Sequence, residues 1–275
     1  MATAIYRGMT RQELDTAYSN TGRLADFPGL MRDFRARSDA FYAAREVRRD
    51  LRYGPGARQT YDWFLCGRSD APVFVFIHGG YWQSCVKEDF AFCAQGPMAR
   101  GHDVILAEYT LAPEASMTQI VAEIGRLLDH LAAELAGRPL CLAGHSAGGH
   151  LAAMHRGHPA VGSVLAISGL FDLLPISLGQ LNDKLQLTAA EIAALSPMRN
   201  IARGAPMLVS VGAEELPELV RQSDDYAAAC RRAGEPAALL HVPGCDHFRV
   251  LDDLADPEGV QLATLAGPVL GAGPG

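Results

Sequence analysis

The chain has 275 residues, 24 Lys and Arg against 31 Asp and Glu, and a net charge of −7, with 49% hydrophobic and 20% charged residues. This is the composition of one globular domain with a sizeable core, and its acidity argues against a nucleic-acid partner or an anionic membrane surface. The first residues lack an apolar stretch of signal-peptide length, and no apolar run is long enough to span a bilayer. The six cysteines include no C-x-x-C pair, so a reduced, cytoplasmic protein is expected.

The first fifty residues read as a helical cap. Thr10-Arg11-Gln12-Glu13 resembles a capping box, and the stretch from Gly29 to Arg49 carries Phe34, Phe41 and Tyr42 among arginines. Asp50 to Tyr53, the Gly54-Pro55-Gly56 turn and Gln59 to Phe64 then read as an antiparallel hairpin at a sheet edge. From Pro72 the grammar changes. Val73 to Ile77 is a continuous apolar run, as expected of a parallel strand buried on both faces.

The alternation continues through a helix near Glu88 to Arg100, strand Val104 to Ala107, helix Ser116 to Leu135, strand Leu140 to Ala143, helix Ala147 to His155 and strand Val164 to Ser168. After Gly169 to Gly204 come strand Met207 to Val211, helix Pro217 to Ala233, strand Ala237 to His241 and a last helix within Phe248 to Leu265. Alternating β and α predicts an α/β fold with a mostly parallel central sheet flanked by helices, in a single domain over residues 1–275. Residues 169–204, following a strand end, suit either a lid-like insertion walling a pocket or a plain connection. Residues 271–275 read as a disordered tail.

Gly144-His145-Ser146-Ala147-Gly148 falls where a strand gives way to a helix. Gly-x-Ser-x-Gly at that junction is the nucleophile elbow of an α/β-hydrolase, with small residues allowing a strained turn that presents the hydroxyl. A phosphate loop fits poorly, since no Lys follows the glycines and the G-x-G-x-x-G spacing is absent. A serine hydroxyl needs a base, an acid to orient it and donors for the oxyanion. His78-Gly79-Gly80 after the first buried strand supplies backbone N–H groups at Gly79 and Gly80, joined by that of Ala147. His247, after the last strand, stands where such a fold places its base. The acid belongs in Gly212 to Glu218, where Glu218 suits a helix first turn and leaves Glu214 and Glu215. His145 reads as a supporting or packing histidine and His241 as structural. The remaining histidines have no metal-ligand spacing, and neither metal nor cofactor is expected.

His78-Gly-Gly-Tyr-Trp-Gln83, the Ser146 elbow, Ser168-Gly-Leu-Phe-Asp172, Leu195-Ser-Pro197, Tyr109-Thr-Leu-Ala-Pro113-Glu114 and Pro217-Glu-x-x-x-Arg221-Gln-Ser223 together resemble the arylformamidase (kynurenine formamidase) family. These are α/β-hydrolases related to the hormone-sensitive-lipase-like esterases. The resemblance implies cofactor-free hydrolysis of an aryl N-formyl compound such as N-formylkynurenine, with Ser146 as nucleophile, His247 as base and Glu215 as acid. The family ordinarily has Asp where this chain has Glu215, one methylene longer. Tyr81, Trp82 and Phe171 would offer flat walls to an aryl group, although Trp82 suits the core beneath the loop equally well.

The expected function is therefore a serine hydrolase. A carboxylesterase for short acyl or aryl esters uses the same machinery, and a non-catalytic ligand-binding protein on the same fold is the alternative from another class. A small-molecule substrate is the expected partner, with a homodimer as an open assembly state.

Overall fold

A computed structural model of the chain describes residues 3–135, 137, 138 and 140–267; the tail expected at 271–275 lies outside them. The N-terminal segment folds as α1 (Arg11–Ala17) and α2 (Phe27–Ala44). Thr10 and Glu13 form the reciprocal capping box, and Asp26 caps α2 by accepting from the Gly29 N–H. The edge hairpin follows as β1 (Val47–Arg52) and β2 (Thr60–Phe64), so the first strand begins three residues earlier than its sequence pattern suggests.

The alternating part runs β3 (Val73–Ile77), α3 (Gln95–Ala99), β4 (Asp103–Ala107), α4 (Met117–Glu134), β5 (Leu140–His145), α5 (Ala147–Met154) and β6 (Val161–Ile167). Short helices α6 (Leu174–Ser177), α7 (Asn182–Leu185) and α8 (Ala189–Leu195) occupy the interruption. The chain closes with β7 (Met207–Gly212), α9 (Pro217–Arg232), β8 (Ala237–Val242), α10 (Val250–Ala255) and α11 (Val260–Leu265).

Two expected helices are broken. Residues 88–100 make two 3₁₀ turns, Lys87–Asp89 and Ala91–Ala94, before the single turn and a half of α3. Gly96 and Pro97 give this stretch little helical propensity. The C-terminal pattern likewise splits into α10 and α11 across Asp256-Pro257-Glu258-Gly259, because proline and glycine interrupt the turn.

The eight strands form one sheet in the order β1-β2-β4-β3-β5-β6-β7-β8. Pairings from β3 through β8 are parallel; β1 with β2 and β2 with β4 are antiparallel. Alternate residues divide the core into two layers, since successive strand side chains point to opposite faces. Val75, Ile77, Leu142 and Val209 pack with α4, α5 and α9, while Phe74, Phe76, Ala143 and Leu208 pack with α2, α10 and α11. The chain leaves β3 for β4 on one side and returns to β5 on the other. That reversal makes a crevice at the carboxyl ends of β3 and β5, where ligands bind in open α/β sheets.

Candidate active site

Ser146 sits in the turn between β5 and α5 with φ 56° and ψ −115°, a conformation that costs a non-glycine residue about 1–3 kcal/mol. The turn closes only because its flanks lack side chains. A Cβ on Gly144 would stand 2.2 Å from the Gly148 oxygen, and one on Gly148 would stand 2.0 Å from the Ile77 oxygen. Any larger residue would force α5 off β3 and β5. The Ser146 N–H donates to Ile167 O at 2.8 Å, tying the turn to β6.

His247 follows β8 and is buried. Its Nδ1 donates to Glu215 Oε2 at 2.7 Å, which leaves Nε2 for the cavity side. Glu215 is itself held by the Gly212 N–H at 2.8 Å and by a short hydrogen bond from Ser168 Oγ. Glu214 points elsewhere: it is exposed, and its hydrogen bonds are made by its backbone, the N–H to Cys245 O and the carbonyl from Arg23. Of the two glutamates, the structure brings Glu215 to the histidine.

His145 lies against this pair. Its Nε2 donates to the His247 carbonyl at 2.8 Å, and the two rings are 4.6 Å apart. Burial, reinforced by His247, drives its pKa well below that of an ordinary imidazole, so the ring stays neutral with an unpartnered Nδ1.

The loop after β3 is strained in the same way. Gly80, Tyr81 and Trp82 all have left-handed φ values, 102°, 50° and 58°, and the Gln83 and Ser84 N–H groups close back on Gly80 O. His78 orients the peptides. Its Nδ1 donates to Gly79 O at 2.8 Å and its Nε2 to Glu108 at 3.0 Å, while Tyr109 Oη donates to His78 O at 3.2 Å. In a planar trans peptide the N–H points opposite the carbonyl, so fixing the Gly79 oxygen turns the Gly80 N–H away from His78. Neither the Gly79 nor the Gly80 N–H has a hydrogen-bond partner among the described residues. Burial opposes the Glu108 charge, but His78 and Arg58 outweigh it and hold the carboxyl below its usual range.

A cavity of about 240 Å³ connects these parts. Gly79, Gly80, Ser146 and His247 line it together with Tyr81. Tyr81 Oη donates to Tyr18 O at 2.6 Å and accepts from Asn20 Nδ2 at 3.2 Å. Trp82 and Phe171, expected as further walls, are fully buried and do not line it. Trp82 packs edge-on against His150, and Phe171 stacks on Tyr226. The tight loop turn sends Tyr81 to the cavity and Trp82 into the core beneath α5. The individual residues of the other walls carried no sequence signal, although residues 169–204 were open to a wall role. Phe27 and Met31 come from the cap and Leu181 and Lys184 from residues 169–204, so only the folded chain brings them to the serine. Ser168, which steadies Glu215, appears in a quoted motif, but its contact spans 47 residues of sequence.

Among the described residues no helix is long and apolar enough to cross a membrane, and no group of three or more His, Cys, Asp or Glu is placed to hold a metal ion.

The family model BD-FAE matches residues 66–161. Kynurenine formamidase of Danio rerio is 28% identical over 91% of this chain and 94% of its own length. The Salmo salar kynurenine formamidase is 30% identical, over 74% and 76%. A solved structure from Silicibacter sp. tm1040, assigned as a thioesterase, superposes with a TM-score of 0.86 and 31% identity, covering 93% of this chain and 99% of that one. The carboxylesterase EstE1 from a metagenomic library shares the fold, with a TM-score of 0.69 at 20% identity over 88% and 97%.

Proposed function

Because the chain belongs to the kynurenine formamidase family of α/β-hydrolases, we propose that it hydrolyses the formamide bond of an aryl N-formyl compound such as N-formylkynurenine. The observation that carries the reading is the His247 to Glu215 hydrogen bond of 2.7 Å, with His247 and Ser146 lining one cavity.

In this mechanism Ser146 Oγ attacks the formyl carbon as His247 Nε2 takes its proton. Glu215 keeps the proton on Nδ1 and stabilises the imidazolium. The tetrahedral oxyanion lies against the N–H groups of Gly79, Gly80 and Ala147, whose orientation costs nothing during the reaction because His78 and Tyr109 have already fixed the loop. Collapse of the intermediate breaks the C–N bond. His247 returns the proton to the leaving nitrogen, and the aryl amine departs. Water, deprotonated by the same histidine, then attacks the formyl ester of Ser146 and releases formate. No step requires a cofactor.

Tyr81 and Phe248 provide flat surfaces for the aryl group, and the cap residues Phe27, whose ring lies 5.6 Å from that of Phe248, and Met31 add apolar area. The test offers the purified chain N-formylkynurenine and a short p-nitrophenyl ester in parallel. Turnover of the formamide, lost in Ser146→Ala with the fold intact, is the expected result. Cleavage of the ester alone would replace the formamidase reading with an esterase. Turnover of neither, with no fluorophosphonate labelling of Ser146, would point to a binding protein.

A further inference from the structure

A chain with a net charge of −7 offers an anionic ligand no long-range attraction, so any preference for one has to be local. The cavity that holds Ser146 has one such feature. Lys184 is the only Lys, Arg, Asp or Glu among its lining residues, which are otherwise aromatic, aliphatic or uncharged polar groups. Lys184 also borders the adjoining groove, which places it where the cavity meets the surface.

Nothing in the described residues neutralises it. The adjacent carboxylate, Asp183, is engaged by Arg11 at 3.3 Å, and Lys184 forms no ion pair. The backbone just before it is nonetheless tied to the loop beside the serine. Gln83, just past the His78 loop, donates from Nε2 to Leu181 O at 2.9 Å, and the Gln180 N–H donates to Asp15 at 2.6 Å. The turn leading into α7 is therefore tied both to the loop that lines the cavity and to α1. Lys184 is solvent-exposed, so its attraction for a carboxylate is modest and salt-sensitive, and acts on a ligand already held by the apolar walls beside it.

Resting on the aryl-formyl reading above, we propose that Lys184 is the specificity-determining residue that selects substrates bearing a carboxylate on the amine portion of the molecule. A formyl group has no side chain of its own, so discrimination falls on the leaving amine, and Lys184 is the one charged group that meets it. The ammonium anchors the carboxylate while the aryl ring lies between Tyr81 and the cap.

The test compares matched pairs on the full chain: formanilide with 3-formamidobenzoate, and phenyl acetate with 3-acetoxybenzoate. The readout is the ratio of kcat/KM for the charged member to that for the neutral one. This ratio is expected to fall about threefold in Lys184→Gln, further in Lys184→Glu, and to recover in Lys184→Arg, with the change carried by KM. Added salt should compress it in the unmodified chain. A ratio unmoved by Lys184→Gln and Lys184→Glu in both pairs would overturn the proposal. Esters turned over without formamides would instead remove the formamidase reading, leaving the ester pair to decide the role of Lys184. Calorimetric binding of 3-formamidobenzoate and formanilide to Ser146→Ala protein gives the same comparison without turnover.

Discussion

A carboxylate that orients a histidine has to be oriented itself, and Glu215 meets that requirement with Ser168 and the Gly212 N–H on one oxygen and His247 on the other. The added methylene relative to aspartate is absorbed within this arrangement. Glu215→Gln is expected to lower kcat by on the order of 10³-fold or more, because the amide can leave the imidazole in the wrong tautomer. Glu214→Gln should stay within about twofold, since that side chain is exposed and makes no bond to the histidine. Steady-state kinetics on the two variants decides it, and the reverse ranking would reassign the acid. Residue pattern left the two glutamates open and only the family resemblance chose Glu215, because neighbours in one loop differ in burial and partners rather than in pattern. The aromatic residues show the converse error. Trp82 and Phe171 have the right chemistry for an aryl wall, but side-chain type does not say which way a residue points: a left-handed turn throws Trp82 into the core, and Phe171 is buried against Tyr226.

At the scale of elements, the strands were legible because burial on both faces writes itself as unbroken apolar runs, and β3, β5 and β7 match those runs closely. Helices with proline or glycine inside them were the weak point, as α3, α10 and α11 show. Helix α5, which follows Ser146, has a property no pattern announces. It is hydrophobic enough to lie buried, yet His150 and His155 anchor it by donating to Leu195 O at 2.8 Å and Val121 O at 2.9 Å.

Burial lowers the pKa of His150 to about 4, and that of His145 at the end of β5 well below the ordinary value. In the unfolded chain both titrate near about 6.5. Below that pH the unfolded state binds protons that the native state refuses, so stability is fully present above about pH 6.5 and is lost as pH falls toward the native values. Each histidine costs about 1.4 kcal/mol by roughly pH 5.5. His155, also lowered to about 4 by burial, acts in the same direction. Urea unfolding at pH 7.5 and 5.5 should therefore differ by at least about 3 kcal/mol, with a smaller difference in His150→Gln. Equal stability at the two pH values would contradict buried neutral histidines.

Across the whole molecule, the Ser146, Glu215 and His247 group and the walls of its cavity come from different parts of the chain. The parallel sheet places Ser146, Glu215 and His247 at its carboxyl edge, whereas the cap and residues 169–204 supply walls that the sheet lacks. One helix of the cap meets both the core and the cavity along one face. Phe34 on α2 is buried against Phe90 and Phe92, with ring centroids 6.1 and 4.7 Å away, while Met31, three residues earlier, is half-buried and borders the cavity. Residues three apart on a helix are neighbours, so in a cap that only stabilised the fold truncation at either would act on Tm, in proportion to burial, and leave KM alone.

A cap that also shapes the cavity should respond differently. Phe34→Ala removes a fully packed ring and is expected to cost about 3–5 kcal/mol, read as a lowered Tm. Met31→Ala removes a partly solvated side chain from the cavity wall. It should leave Tm nearly unchanged and raise KM for an aryl formamide several-fold, with a smaller effect on a small acyl ester that does not reach the cap. Thermal unfolding and KM measured on the same two variants separate the roles. If Met31→Ala lowered Tm as Phe34→Ala does and left every KM alone, the cap would be a stabilising layer, and recognition of the aryl group would fall to Tyr81 and Phe248.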